Sequence, residues 1–209
     1  MSEEVKGSSL EERIIDAAKS VFIEKGYTDA CMSEIAERVG INRPGLHYYF
    51  RTKDKMFNAV FGMIVASVIP KFQDIITNRD LSLSVRVEQI VDVYYNLLQE
   101  NPYLPLFMLR EIDRDVDFLL KTFSDLKVEH FFAELKNYLL EEMDKGRLRR
   151  VPLRIVFLTF YSALTFPFVS RKLMRETMME KGEDFRTVLD EWKPYIISQM
   201  VNLLSVDGN

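Results

Sequence analysis

The residues of this 209-residue chain whose types and spacing most suggest chemistry lie between Arg38 and Lys55. Five bases stand there, Arg38, Arg43, Arg51, Lys53 and Lys55, against one acid, Asp54, for a net charge of +4. Asn42, His47, Tyr48 and Tyr49 are interleaved with them. Cations neutralise phosphates and release their counterions, and amide and hydroxyl donors add hydrogen bonds to phosphate oxygens. Arginine can also grip guanine O6 and N7 through two parallel bonds. The pattern suits double-stranded nucleic acid. The whole chain carries -4, so everything outside this segment sums to -8. The acidic average conceals a basic face.

Other chemistries find no matching constellation. Cys31 is the only cysteine, which excludes an intramolecular disulfide and suits a reducing compartment. His130 has Glu129 and Glu134 nearby, but no ligand set with zinc-type spacing accompanies it. Asp113, Asp115 and Asp117 look like paired carboxylates, yet they fall at an expected helix junction, where capping and solvation account for them. No glycine-rich phosphate loop and no nucleophile elbow occurs. The chain reads as a non-enzyme that needs no metal and no cofactor.

The elements that must position the basic residues are helical, and the whole sequence reads as all-α. No Asn-Gly or Asp-Gly pair joins two alternating apolar runs, and the one Asp-Gly, Asp207-Gly208, is the tail. Ser9 and Glu12 have capping-box spacing ahead of an apolar stripe of Ile14, Ile15, Ala18, Val21 and Phe22. Gly26 supplies a stop. A short second helix is expected at 32–39, with Gly40 ending it. Asn42 then caps a third helix, and Pro44 fits its first turn, where a missing N–H costs nothing. Leu46 and Phe50, four apart, share the inward face. Two short helices around a glycine-containing turn are the form of a helix-turn-helix, whose second helix enters the major groove. Arg43 is then placed to read base edges, while Asn42, Tyr48 and Tyr49 donate to phosphate. Gly45 lets backbone approach DNA, Pro44 stiffens the helix start, and Lys53 offers its charge at the start of a fourth helix. Longer helices are expected at 54–76, 83–100, 103–112, 116–145, 153–180 and 183–205, with a kink or break at Pro167 and at Pro194. The domain division is 1–57 for the helix-turn-helix and 58–209 for a larger helical part.

Several of these features occur together in one known pattern. They are the stripe Ile15–Phe22, Gly26-Tyr27, Ile35-Ala36, Val39-Gly40-Ile41-Asn42, Leu46-His47-Tyr48-Tyr49-Phe50 and Thr52-Lys53. In them, residues 11–57 resemble the N-terminal domain of TetR (tetracycline-repressor-like) transcriptional regulators. Ala30, Cys31 and Met32 depart from the family's Thr or Ser at the start of the second helix, and His47 stands where many members have Tyr. The resemblance implies DNA contacts at Ser33, Asn42, Arg43, Pro44, Gly45, His47, Tyr48, Tyr49 and Lys53. It implies a homodimer on a pseudo-palindromic operator, usually as a repressor, paired through the last two long helices. From the final helix, Trp192, Ile196, Gln199, Met200 and Leu203 are expected at that interface. It further implies a small effector bound among the middle helices that tilts the fourth helix. Phe61, Tyr94, Phe107, Met108, Phe123, Phe131, Phe160 and Phe166 are the candidate lining, which favours a hydrophobic molecule.

The polar, acidic opening MSEEVKGSSLEE lacks the form of a secretory signal, so a cytoplasmic location is expected. The uncharged stretches Met56–Pro70 and Ile155–Ser170 fall short of the roughly 20 residues that a spanning helix needs, and they read as core helices. The rival reading is a helical ligand carrier or an enzyme built on the apolar part. It leaves the basic segment unexplained.

Overall fold

The computed structural model describes residues 9–206. The part of the acidic opening before Ser9 and the Asp207-Gly208 pair lie outside the described residues. Among those described there are eleven helices and no strand.

The first helix, α1 (Leu10–Asp29), begins at Ser9 with both halves of the capping box. The Glu12 N–H donates to Ser9 Oγ (3.2 Å), and the Ser9 N–H donates to Glu12 Oε2 (2.8 Å). Ile14, Ala18, Val21 and Phe22 are buried, as their spacing demands. Gly26 interrupts α1 at φ 78°, a region open to glycine, and Tyr27–Asp29 add one further turn. Next come α2 (Met32–Val39) and α3 (Arg43–Tyr49). The remaining helices are α4 (Lys53–Thr77), α5 (Leu83–Glu100), α6 (Leu104–Arg114), α7 (Val116–Asp125), α8 (Val128–Asp144), α9 (Leu153–Val169), α10 (Arg171–Thr177) and α11 (Phe185–Leu204).

Two expected helices are each broken in two. The run at 116–145 divides at Lys127, which adopts left-handed φ 56° and turns the chain so that Val128 and Phe131 are buried. The run at 153–180 stops at Val169, and α10 leaves at 62° to α9. Pro167 lies inside α9, and it has no N–H for the carbonyl of Ala163 one turn earlier. That carbonyl accepts instead from the indole N–H of Trp192 on α11 (3.0 Å). Pro194 lies within α11, which remains one helix.

The chain packs as two compact units. Unit 1 comprises the chain up to Ala66 together with Phe107–Leu126, and unit 2 comprises Ser67–Leu106 with the chain from Lys127 onward. The packed unit that holds α1, α2 and α3 therefore extends beyond residue 57 and takes in most of α6 and all of α7. Aromatic packing is the reason. The Phe57 ring lies 5.4 Å from Phe22, 5.9 Å from Phe107 and 5.5 Å from Phe118, and Phe61 lies 5.7 Å from Phe123. The buried Thr122 hydroxyl donates to Asn58 Oδ1 (3.0 Å), which joins α7 to α4 by a polar contact. By length and apolar composition α4 could cross a membrane, a test that a core helix also passes. Met56, Phe57, Val60, Phe61, Ile64 and Val68 on α4 are buried within the chain.

In unit 2, α5, α9 and α11 pack mutually around Val91, Leu98, Leu164, Leu189 and Ile196. Arg86 on α5 is buried, and its acceptors are backbone carbonyls at the end of α4 and just beyond it. Nη1 donates to Ile75 O (2.5 Å) and Ile76 O (2.8 Å), and Nη2 donates to Asn78 O (2.7 Å) and Leu81 O (3.3 Å). The guanidinium also lies 5.2 Å from the Tyr138 ring. A helix leaves its last carbonyls without partners and its C-terminus partly negative, so one arginine meets both needs. Arg86→Met should destabilise unit 2 by about 3 kcal/mol, because it strands buried acceptors of charge-assisted bonds. Denaturant unfolding followed by circular dichroism would measure the loss, and a change under a few tenths of that size would contradict the capping role.

Candidate nucleic-acid interface

The turn between α2 and α3 is built from local sequence. Gly40 takes the left-handed conformation (φ 77°, ψ 30°), and its N–H returns to the carbonyls of Ala36 and Glu37. Asn42 caps α3, its side-chain oxygen accepting from the Gly45 N–H at 2.8 Å. Leu46 and Phe50 are buried and fix the rotation of α3. The opposite face then presents Arg43, Pro44, His47, Tyr48 and Tyr49 outward, with Tyr48 83% exposed. The Tyr48 and Tyr49 rings meet edge to face at 5.4 Å. Arg43, Pro44, His47, Tyr48 and Arg51 line one open concavity. Arg43, His47, Arg51 and Lys53 also line an adjoining cleft with Met32 and Thr52.

Not every base in the segment is available. Arg38 bridges Glu24 (2.8 Å) and Glu34 (3.1 Å), and Lys25 pairs with Glu34 (2.7 Å), which cross-links α1 to α2. Arg43 and Arg51 form no ion pair among the described residues. Lys53 is half-buried, its ammonium donating to Thr28 O (3.0 Å) and lying 4.6 Å from the Tyr27 ring, and burial lowers its pKa from the ordinary lysine value. Ser33 is exposed near the start of α2. Cys31 stands at the N-cap of α2 in place of an oxygen-bearing side chain, with its Sγ 3.4 Å from Ser33 Oγ. Asn42, Arg43, Pro44, His47, Tyr48 and Tyr49 thus come together on one surface, with Gly45 half-buried beneath them. Arg51 belongs to that surface and was visible in sequence only as part of the basic run.

Residues 14–60 match the family model of the bacterial regulatory proteins of the tetR family. That segment is similar to the DNA-binding part of TetR-family transcriptional regulators. The transcriptional activator FasR of Mycolicibacterium smegmatis is 30% identical over 101 residues, which are 44% of this chain and 46% of the activator. YdgC of Bacillus subtilis, an uncharacterised regulator, is 22% identical across 87% of this chain and 98% of its own length. The crystal structure of HlyIIR, a hemolysin II transcriptional regulator, superposes with a TM-score of 0.67 over 91% of this chain and 96% of its own, at 20% identity. That likeness speaks to the fold.

The residues expected around an effector fall in separate clusters. Phe61, Phe107 and Phe123 belong to the aromatic core of unit 1. In unit 2, Tyr94 packs on Tyr161 and Phe131 on Phe72. Met108 and Phe160 are half-buried, whereas Phe166 is 65% exposed and lines no interior. Of the residues expected at a partner contact, Ile196 and Met200 are buried in the chain's own core, because α11 turns that stripe toward α5 and α9. Gln199 and Trp192 are exposed and Leu203 is half-buried. Other outward apolar residues of these two helices include Phe157, Leu158 and Phe166 on α9 and Tyr195 on α11.

The α1–α2 cross-link carries a pH signature. The hydrogen bond from Arg38 holds the Glu24 carboxyl below the usual range, and bonds from Lys25 and then Arg38 do the same for Glu34. A carboxylate with a depressed folded-state pKa stabilises the fold above its unfolded value, and that contribution is lost as pH falls through the depressed value. Arg38→Met should therefore lower stability at neutral pH and flatten its decline on acidification below the usual carboxylate range. Thermal melts of both proteins across acidic pH would test this; parallel curves would refute it.

Proposed function

We propose that this chain is a TetR-family transcriptional repressor that binds a pseudo-palindromic operator as a homodimer and is released by a small hydrophobic molecule. It acts in the cytoplasm. One observation carries the DNA-binding part. The outward face of α3 gathers Arg43, His47, Tyr48, Tyr49 and neighbouring Arg51, while Leu46 and Phe50 lock its inner face. A carrier or enzyme has no use for that arrangement.

Arg43, in the first turn of α3, reads base edges. Arg51, Asn42 and the tyrosines hold phosphates, as does the N-terminus of α2 beside Ser33. Pairing two copies places two such helices about one DNA turn apart, ~34 Å, or more. Phe157, Leu158 and Phe166 on α9 and Tyr195 on α11 form the apolar surface that supports pairing. Repression is the family's usual mode. The plentiful aromatic residues support a hydrophobic effector, which acts by binding one conformer more tightly than the other.

Mobility shifts across salt concentration test the reading, using a duplex selected from random sequence. Arg43→Ala should relax preference at one base position at a cost of about 1–3 kcal/mol, while Arg51→Ala should weaken selected and random duplexes alike and lower the salt slope by about one. Failure of the unaltered protein to enrich any sequence would end the regulator reading. For pairing, Leu158→Asp combined with Tyr195→Asp should give a monomer in sedimentation with helicity unchanged, and a persistent dimer would place the interface elsewhere.

A further inference from the structure

Among the described residues Glu111 is the one buried acid, at 1% exposure, and it lies on α6, 84 residues from the backbone group it binds. A carboxylate that deep survives only if fully bonded. Its Oε1 accepts from the Tyr27 N–H (2.8 Å), and its Oε2 accepts from Arg114 Nε (2.8 Å). The Arg114 guanidinium lies 4.3 Å from the centre of the Tyr27 ring and 5.1 Å from that of Phe118. The N–H and the ring of one tyrosine are thus held from α6.

Tyr27-Thr28 is also bonded to the start of α4. The Tyr27 hydroxyl donates to Asp54, and Lys53 donates to the Thr28 carbonyl (3.0 Å). Within the sequence, Thr28 lies just before α2 begins at Met32, and Lys53 lies just after α3 ends at Tyr49. Both ends of the helix-turn-helix are therefore tied to one dipeptide, and α6 holds that dipeptide. Gly26 permits the geometry, because its φ of 78° turns the chain so that the Tyr27 N–H leaves α1.

We propose that Glu111 and Arg114 are positioning residues for DNA binding, setting the placement of α2 and α3 through Tyr27 without touching DNA. The inference rests on the DNA-binding reading above. Glu111→Gln keeps an acceptor for the Tyr27 N–H but removes the charge that orders Arg114. Glu111→Ala removes both.

The test uses the full chain and a duplex selected from random sequence by the unaltered protein. Affinity should fall about tenfold in Glu111→Gln and further in Glu111→Ala, as expected for the loss of one and then two charge-assisted hydrogen bonds. Amide hydrogen exchange at residues 31–50 of the folded proteins should quicken in the same order. A merely structural role would leave those amides protected in the folded fraction. Where Glu111→Ala does not fold, Glu111→Gln and Arg114→Met carry the comparison. Unaltered affinity and protection in the variants that fold would overturn the proposal alone. An unaltered protein that selects no duplex would overturn the DNA-binding reading and this proposal with it.

Discussion

Phe57 occupies the place where four helices of unit 1 meet. Its ring contacts Phe22 and Tyr27 of α1, Phe61 of its own helix α4, Phe107 of α6 and Phe118 of α7, all with centroids within 5.9 Å. The helices α1, α2 and α3 alone are too small an assembly to bury a self-sufficient core, since the buried fraction of surface falls with size. The cluster around Phe57 supplies the missing interior by recruiting α6 and α7. Once it is in place, α1 is fixed, α2 lies on α1, α3 lies on α2, and the outer face of α3 is left for another molecule.

Local chemistry explains what was legible in the sequence. Ser9 with Glu12, Gly40, and Asn42 with Pro44 each set a helix boundary through bonds to backbone within a few residues, and such signals need no knowledge of the fold. Leu46 and Phe50 were legible for the same reason, because a four-residue spacing defines a face. Lys127 was not legible, since a lysine in the left-handed region is tolerated only when packing on both sides requires the turn. The final helix shows a different limit. Ile196 and Met200 alternate around α11 with Trp192, Tyr195 and Gln199, and periodicity reveals stripes without saying which one meets the chain's own core. Glu111 was invisible, as its partner is a backbone N–H far away in sequence.

Two other contacts follow one logic. Arg86 reaches carbonyls at the end of α4, and Trp192 reaches the carbonyl that Pro167 leaves without a donor. In both cases a long side chain from another helix supplies what the backbone lacks. Buried carbonyls are expensive to leave unpaired. Such repairs let proline lie inside a long apolar helix without loss of the packing around it.

The interrupted make-up of unit 1 also bears on how the chain is synthesised. Its second piece, Phe107–Leu126, follows a stretch that belongs to unit 2. During translation the N-terminal helices emerge with Phe22 and Phe57 lacking their later ring partners, and the core completes only when α7 leaves the ribosome. Closing a loop across residues 67–106 costs entropy that only those long-range contacts repay. The unit that holds α3 is therefore complete only once α7 has emerged, and nascent chains paused before α7 expose an aromatic surface that chaperones would recognise.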